Sequence, residues 1–326
     1  MNRSADPRVT VCIPNRNGGE YLGETIRSVL NQSFTDFRVI VADNASSDHS
    51  RDVCESFSDP RLEFIANDDL LPVSANWNRA LQCSTSELTA LLHSDDTWHT
   101  DFLATMVARL DECSTASAVI CSSDLIDEHG RPMTRGDRPV WVQPARTGTL
   151  DEYAYQELLL GMYVRPCAWL ARTSLFSEVQ FDERFNRAPD WDFWLRAAAL
   201  EDDIVFEPAV LCDYRLHATN DTFTESCLTD IRNDERVLIS EAIDRREVPP
   251  RVARRARQRV DMRAVIRIIQ VVMLRDVRLA GRLTRGFVRQ RGVYGLISGA
   301  VQLICLPEAR IAAMRSLRSL IPKPRS

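Results

Sequence analysis

One stretch of this chain limits its fold more than any other: Leu88-Thr89-Ala90-Leu91-Leu92-His93-Ser94-Asp95-Asp96-Thr97-Trp98. A short apolar run, Leu88 to Leu92, ends abruptly in two adjacent carboxylates. That is the pattern of a buried central strand delivering acid groups to the carboxyl edge of a sheet, where open α/β sheets bind ligands. Adjacent carboxylates repel each other, so a cation or a set of donors is expected beside them. Hard divalent ions are held by one or two carboxylates together with substrate phosphates. The competing reading is a helix cap and a solvated turn, since Asp-Asp-Thr also opens helices. The rest of the chain decides between the two.

Upstream, Arg8 to Ile13 reads as a strand stopped by Pro14. Asn17 and Glu20 have the spacing of a capping box, and Leu22, Ile26, Val29 and Leu30 follow at helical spacing. Phe37 to Ala42 is a second strand ending in Asp43-Asn44-Ala45-Ser46-Ser47-Asp48. A helix to about Phe57, a strand Arg61–Ala66 and a helix Val73–Gln82 lead back to the acidic pair. Strands alternating with helices in this way imply a mostly parallel sheet with right-handed crossovers. Asp43 lies at the end of the second strand as the acidic pair lies at the end of the fourth. It can accept hydrogen bonds from a base imide or a ribose hydroxyl, or close an Asx-turn in its own loop. No G-x-G-x-x-G follows the first strand and no G-x-x-x-x-G-K-[ST] occurs, which argues against dinucleotide binding and a P-loop NTPase.

Downstream, Asp101–Glu112 reads as a helix and Ala116–Ser122 as a strand, with a turn at Asp127-Glu128-His129-Gly130. Residues 131–149, rich in Pro, Arg and Gly, read as a long surface loop of the kind that carries specificity. Cys167–Ala171 and Ile204–Val210 are short apolar strands. Between them a helix runs from Trp191, and Asp190 falls where an N-cap belongs. A carboxylate beside tryptophans can also act as a general base, because desolvation raises its pKa. Tyr214-Arg215-Leu216-His217 closes this part of the chain, and a lone His is more often structural than a ligand.

The bulk numbers fit a globular chain of one large domain or two ordinary ones: 326 residues, 44% hydrophobic. Nine cysteines without a C-x-x-C pair point to reduced thiols in a cytosolic compartment. The polar segment Met1–Pro7 carries no secretory signal. The net charge of −5 hides an asymmetry. Residues 1–229 hold 19 Arg against 37 acidic residues, a balance of −18; residues 230–326 hold 21 Arg and one Lys against nine acids, a balance of +13. Such a split implies an acidic globular domain and a basic region for an anionic partner.

The stretches VCIPNRNGGEYL, VIVADNASSD, VSANWNRAL, LLHSDDTW and FDERF…PDWDFWLR, followed by YRLH, resemble in this order an inverting family 2 glycosyltransferase of GT-A fold, of the bacterial polysaccharide type. The resemblance spans roughly residues 8–220 and implies an α/β, Rossmann-like, mostly parallel sheet flanked by helices. On that basis residues 7–225 form the GT-A domain and residues 226–326 a basic α-helical C-terminal region. The resemblance implies that Asp43 binds the base of a nucleotide-sugar donor and Asp95 its ribose or diphosphate side. Pro14, Asn15, Arg16 and Asn76 also fall at the donor. Asp96, with His93 and His217, would hold Mn²⁺ or Mg²⁺, and Asp190 would deprotonate the acceptor hydroxyl. The acceptor would be a glycan or polyprenyl-linked glycan. Three positions depart from the family's pattern. His93 stands where the acidic motif usually begins with Asp, Pro189 where a Glu commonly precedes the base, and Arg16 where an aromatic residue is frequent.

The C-terminal region is Arg-dense and helical in pattern, interrupted at Val248-Pro249-Pro250. Met262, Val265, Ile268, Ile269, Val272 and Met273 keep an apolar face, and Gly292–Leu306 is uncharged for 15 residues, short of the ~20 that span a bilayer. Such a surface suits peripheral contact with an anionic membrane, at the cytoplasmic face of the cell membrane. Packing on the catalytic core is the alternative, and nothing favours nucleic acid. Two other functions compete with transfer. One is a catalytically silent sugar-nucleotide-binding or scaffold protein, which His93 and Pro189 would fit. The other is a nucleotidyltransferase, which would show a Gly-rich, Lys/Arg-bearing first loop that PNRNGGEYL does not supply.

Overall fold

The computed structural model describes residues 6–133, 148–149, 152–161, 164–185, 188–200, 203–217, 220 and 225–273, together with 284 and 288. The elements run β1 (Val9–Asn15), α1 (Gly19–Leu30), β2 (Phe37–Asp43), α2 (Ser50–Glu55), β3 (Leu62–Ala66), α3 (Val73–Gln82) and β4 (Leu88–Leu91). Then come β5 (Thr97–Trp98), α4 (Phe102–Glu112), β6 (Ala116–Ile126), β7 (Gly148–Thr149), α5 (Glu152–Leu160), β8 (Trp169–Arg172) and α6 (Leu175–Glu178). The last four are α7 (Pro189–Ala197), β9 (Asp203–Arg215), α8 (Glu225–Arg245) and α9 (Pro250–Met273). Most of the loop read at 131–149, and the uncharged stretch Gly292–Leu306, lie outside the described residues.

Among the described residues the strands form one sheet in the order β3-β2-β1-β4-β8-β6-β9-β5, with β7 paired to β9. The first half is parallel: β1 runs beside β2 and β4, and β2 beside β3. β8 enters antiparallel to both β4 and β6, and the long β6–β9 ladder is parallel again. This is the mostly parallel, helix-flanked, GT-A-like sheet expected from the sequence. The chain divides into two compact units, and α8 and α9 belong to the second.

The central strands are buried on both faces, as a parallel sheet covered by helices requires. Every residue of β1 and β4 is buried. Helix α1 buries Leu22, Ile26 and Val29 at helical spacing and turns Tyr21 and Glu24 to its other face. Its start differs from the local capping box read in the sequence. The N-cap is Gly18, without a side-chain cap bond, and the amide of Gly19 is instead satisfied by Asp48 Oδ2 at 2.9 Å. Asn17 sits at φ 50 and its Oδ1 accepts a hydrogen bond from Ser47 N at 2.8 Å. The loop after β2 thus caps the helix after β1, a long-range solution that no short-range motif reveals. Pro14 does not stop β1, which continues through it to Asn15 in register with Asp43.

In the second unit, Leu238, Ile239 and Ala242 of α8 and Ala253, Ala256, Val260, Ala264 and Val265 of α9 are buried. The two helices are tied by Arg263 and Glu235, 3.0 Å apart. The break at Val248-Pro249-Pro250 separates them as the sequence implies. No described helix is long and apolar enough to cross a membrane.

Candidate active site

The parallel strands β1, β2 and β4 all point their carboxyl ends to one edge, and the polar residues of the acidic motifs gather there. Asn15 ends β1 and Asp43 ends β2. Asn15 Nδ2 donates to Asp43 Oδ1 at 2.7 Å, Ser46 Oγ donates to the same oxygen at 2.6 Å, and Ser46 N donates to Oδ2 at 2.9 Å. Asp43 therefore closes its own turn, and its Oδ2 keeps a lone pair for another donor. Asp43 opens onto a pocket of about 290 Å³ that Ser46, Asp48, Arg51, Phe64 and Asn67 also line. The guanidinium of Arg51 lies over the Phe64 ring at 4.7 Å from its centroid. A flat apolar surface with acceptors at its rim can hold a heteroaromatic base.

Asn76 is tied to this pocket through Asn67. Its Oδ1 accepts from Asn67 Nδ2 at 3.0 Å, and the same amide group donates to Asn44 Oδ1 at 3.1 Å. Asn76 is buried and holds Asn67 in place. Arg16 is exposed and donates to the carbonyl of Asn44 at 3.1 Å, so it is tied to the loop after β2. Gly18 permits the close approach of the loop after β1 to the acidic turn. A Cβ there would come within 2.4 Å of Asn15 Oδ1 and 2.6 Å of Ser94 Oγ.

The acidic turn after β4 brings together His93, Asp95 and Asp96, each offering a ligand atom within 4.8 Å of the others. Asp96 is fully buried. Its Oδ1 accepts from the backbone amide of Arg215 at 2.9 Å, and its Oδ2 is buried without a hydrogen-bond partner among the described residues. Burial pushes the Asp96 carboxyl well above the usual carboxylate range, with the Cys167 thiol and Asp95 adding to the effect. The Asp95 side chain is 23% exposed, and its Oδ2 lies 2.9 Å from His217 Nε2. The His93 ring packs against Trp77, centroids 4.7 Å apart. One imidazole and two carboxylates, including that buried oxygen, are a donor set that suits a divalent cation such as Mn²⁺.

Asp190 is the second residue of α7 rather than its cap; the N-cap is Ala188. Its Oδ1 accepts from the amide of Trp191 at 2.9 Å. Burial pushes its carboxyl up to about 6, against the opposing pull of that amide and of the Arg165 guanidinium. Arg165 lies over the ring of Tyr214, 5.1 Å from the centroid, and its charge is felt by both Asp190 and Asp96. A carboxylate poised near neutral pH can take a proton from a hydroxyl.

Three contributors escape sequence reasoning. Arg215, read only as part of the closing YRLH, is 1% exposed and pairs with Glu24 at 2.7 Å. Tyr21 packs against both Arg215 and His217. Arg165 lies in a segment with no pattern of its own.

A sheet that lines up carboxylates at its parallel edge, beside a base-sized pocket, is the GT-A arrangement of a glycosyltransferase. The profile of Glycosyl transferase family 2 matches residues 10–177, and the chain belongs to that family. It is a nucleotide-sugar-dependent glycosyltransferase. It is 25% identical over 221 residues, 65% of its length, to the amylovoran biosynthesis glycosyltransferase AmsB of Erwinia amylovora, of which 70% is covered. Its fold is similar to that of S. aureus TarS 1-349 in complex with UDP-GlcNAc, with a TM-score of 0.62 at 16% identity, covering 96% of this chain and 89% of that one. It is also similar in fold to the mannosyltransferase PcManGT from Pyrobaculum calidifontis in complex with GDP-Man and Mn²⁺. There the TM-score is 0.59 at 17% identity, covering 97% of this chain and 86% of that one.

Proposed function

We propose that this enzyme transfers a sugar from a nucleotide donor to a hydroxyl of a glycan or lipid-linked glycan, in a single displacement that inverts the anomeric centre. The observation that carries this reading is Asp190. It is a half-buried carboxylate raised to about 6, and it shares the field of Arg165 with the acidic turn. Such a group is charged at neutral pH yet basic enough to accept the acceptor's proton as the hydroxyl attacks. With one base on the face opposite the leaving group, no covalent sugar–enzyme intermediate is needed. Similarity to AmsB, a glycosyltransferase of amylovoran biosynthesis, supports a role in polysaccharide biosynthesis.

Asp43 would accept a hydrogen bond from the donor's base, with Phe64 as the apolar wall and Asn76 holding Asn67 beside it. Asn15 fixes Asp43, and Pro14 and Arg16 shape the loop over the nucleotide. Asp95, Asp96 and His93 would hold Mn²⁺ or Mg²⁺, with His217 against Asp95. A divalent ion there, when bound, offsets the charge developing on the leaving diphosphate. The complex of PcManGT with Mn²⁺ supports this reading of the donor set. The GT-A domain would span residues 7–225, and the basic region 226–326 would meet the anionic surface of the membrane that carries the acceptor.

The test is a donor-panel assay of the purified protein with Mn²⁺ or Mg²⁺ and lipid-linked or free glycan acceptors, reading released nucleoside diphosphate and product anomer. Turnover of one donor with inversion, lost in Asp190→Asn, is the expected result. A retained anomeric configuration sinks the mechanism. Binding of donors without turnover of any of them sinks the activity.

A further inference from the structure

The end of β9 and one face of α1 grip the acidic turn from opposite sides, and Arg215 is where the two meet. Its Nε donates to the carbonyl of Asp95 at 2.8 Å, and its own backbone amide donates to Asp96 Oδ1 at 2.9 Å. Its Nη2 donates to Glu24 Oε2 at 2.7 Å, and its guanidinium lies over the ring of Tyr21, 4.9 Å from the centroid. Tyr21 and Glu24 are three apart in α1 and share a face. Thr25, next on that face, sets its hydroxyl 3.0 Å from the carbonyl of Ser94 and 2.8 Å from that of Asp96. The same Tyr21 ring packs against His217, centroids 4.7 Å apart, and His217 holds the Asp95 carboxylate.

A buried arginine is costly unless its donors are used, and a core without it would be cheaper. Here Nε serves the carbonyl of Asp95 in the acidic turn, Nη2 serves Glu24 and Nη1 faces the carbonyl of Asp127 at 3.4 Å. The carbonyl of Asp95, the carboxylate of Asp96 and the carbonyls of Ser94 and Asp96 are all fixed by α1 and β9. The Asp95 carboxylate stays partly open, 23% exposed, where that of Asp96 is buried. Hydrogen-bonded groups behind metal ligands set the orientation of those ligands, and losing one typically costs about 10–100-fold in metal affinity or activity.

We propose that Arg215 is a positioning residue: anchored on Glu24 and Tyr21, it sets the orientation of Asp95 and thereby the affinity of the acidic turn for a divalent cation. This rests on the metal reading proposed above. On this reading Arg215 acts through Asp95, whose carbonyl it holds.

The experiment is a calorimetric titration of the full chain with Mn²⁺ alone, for the wild type, Arg215→Met, Arg215→Lys and Glu24→Ala, with metal-free thermal melting alongside. Lys keeps the charge but cannot serve Asp95 and Glu24 with one fork. Both Arg215 variants are expected to bind Mn²⁺ about 10–100-fold more weakly, and Glu24→Ala about 3–10-fold. Glu24 is half exposed, so its variant remains a test if the Arg215 variants fail to fold. A merely structural arginine would lower the melting temperature and leave the Mn²⁺ affinity of the folded variants unchanged. Folded variants with wild-type affinity overturn the proposal. A wild-type chain that takes up no Mn²⁺ overturns the metal reading itself, and the two failures are told apart by which protein shows them.

Discussion

The imidazole of His217 meets the carboxylate of Asp95 at 2.9 Å, joining the end of β9 to the turn after β4. Two residues earlier, the amide of Arg215 meets the carboxylate of Asp96 at the same distance. One strand end thus holds both neighbouring acids, but in different surroundings: Asp95 is partly open and Asp96 is sealed. The two should respond differently to mutation. Asp95→Asn is expected to keep the wild-type melting temperature while losing Mn²⁺ binding and most turnover. Asp96→Ala strips a buried amide of its acceptor and should cost about 1–3 kcal/mol of stability in addition. Urea denaturation paired with Mn²⁺ titration separates them. Equal stability losses at both positions would contradict the difference in burial.

Asp190 predicts a pH dependence. A base with its pKa near 6 is protonated below it, so turnover should fall about tenfold per pH unit on the acid side of 6. The stability effect has the opposite sense. A carboxyl raised from 3.8 to about 6 binds its proton more tightly when folded. Its stabilisation is complete below 3.8 and is lost as pH rises through 6. Asp190→Asn removes that titration, so at pH 7 the variant should be as stable as wild type or more so, by on the order of 1 kcal/mol. Its turnover should drop by about 10²–10⁴-fold. A variant that loses stability and activity together would mark Asp190 as structural.

Gly18 is expected to tolerate no side chain. An added Cβ would meet Asn15 Oδ1 at 2.4 Å and Ser94 Oγ at 2.6 Å, the first hydrogen-bonded through its own amide group to Asp43 and the second in the acidic turn. Gly18→Ala must push the loop after β1 away from the acidic turn. The expected cost is about 1–3 kcal/mol in stability, with a raised KM for the donor. Melting and steady-state kinetics check it, and wild-type values of both would show that the loop gives way freely.

The acids at the strand ends were legible because the signal is local. Leu88 to Leu92 has to be buried, and Asp95 and Asp96 have to follow it. Helix α3 came out with its bounds as read, Val73 to Gln82, since its apolar positions repeat at helical spacing. What stayed hidden depends on contacts between distant segments. Asp48 caps α1 from another loop, so the Asn17–Glu20 box misled. The two-residue strand β5 exists only because Thr97 and Trp98 pair with Asp213 and Cys212. Arg215 sits in a chain of many arginines, and nothing local marks it as buried. The helix at Asp190 is legible, but the cap lies two positions earlier, at Ala188, because Pro189 opens the helix and leaves Asp190 inside it.

The basic C-terminal region predicts salt-sensitive binding to anionic vesicles. Residues 230–326 carry a balance of +13, and each basic residue at such a surface contributes about 1 kcal/mol. Some of that charge is spent internally: Arg259 and Arg263 each donate to the carbonyl of Leu160 at 3.2 Å, and Arg263 also pairs with Glu235. Co-sedimentation of the full chain with phosphatidylglycerol vesicles should fall steeply between low and high salt and be absent with neutral vesicles. Equal partition to both vesicle types would rule out an electrostatic membrane role.

Phe64 tests the pocket at the end of β2 and β3 independently of metal and base. Its ring, with the guanidinium of Arg51 over it, lines the same pocket as Asp43. Stacking of a base on an aromatic ring is worth about 1–3 kcal/mol, so Phe64→Ala should raise the donor KM by about 5–100-fold. The base is bound equally in ground and transition states, so kcat should change little. The same substitution should weaken inhibition by the released nucleoside diphosphate by a similar factor, since product and donor share the base. A Phe64→Ala enzyme with a wild-type KM would move the nucleotide out of this pocket, and with it the role read for Asp43.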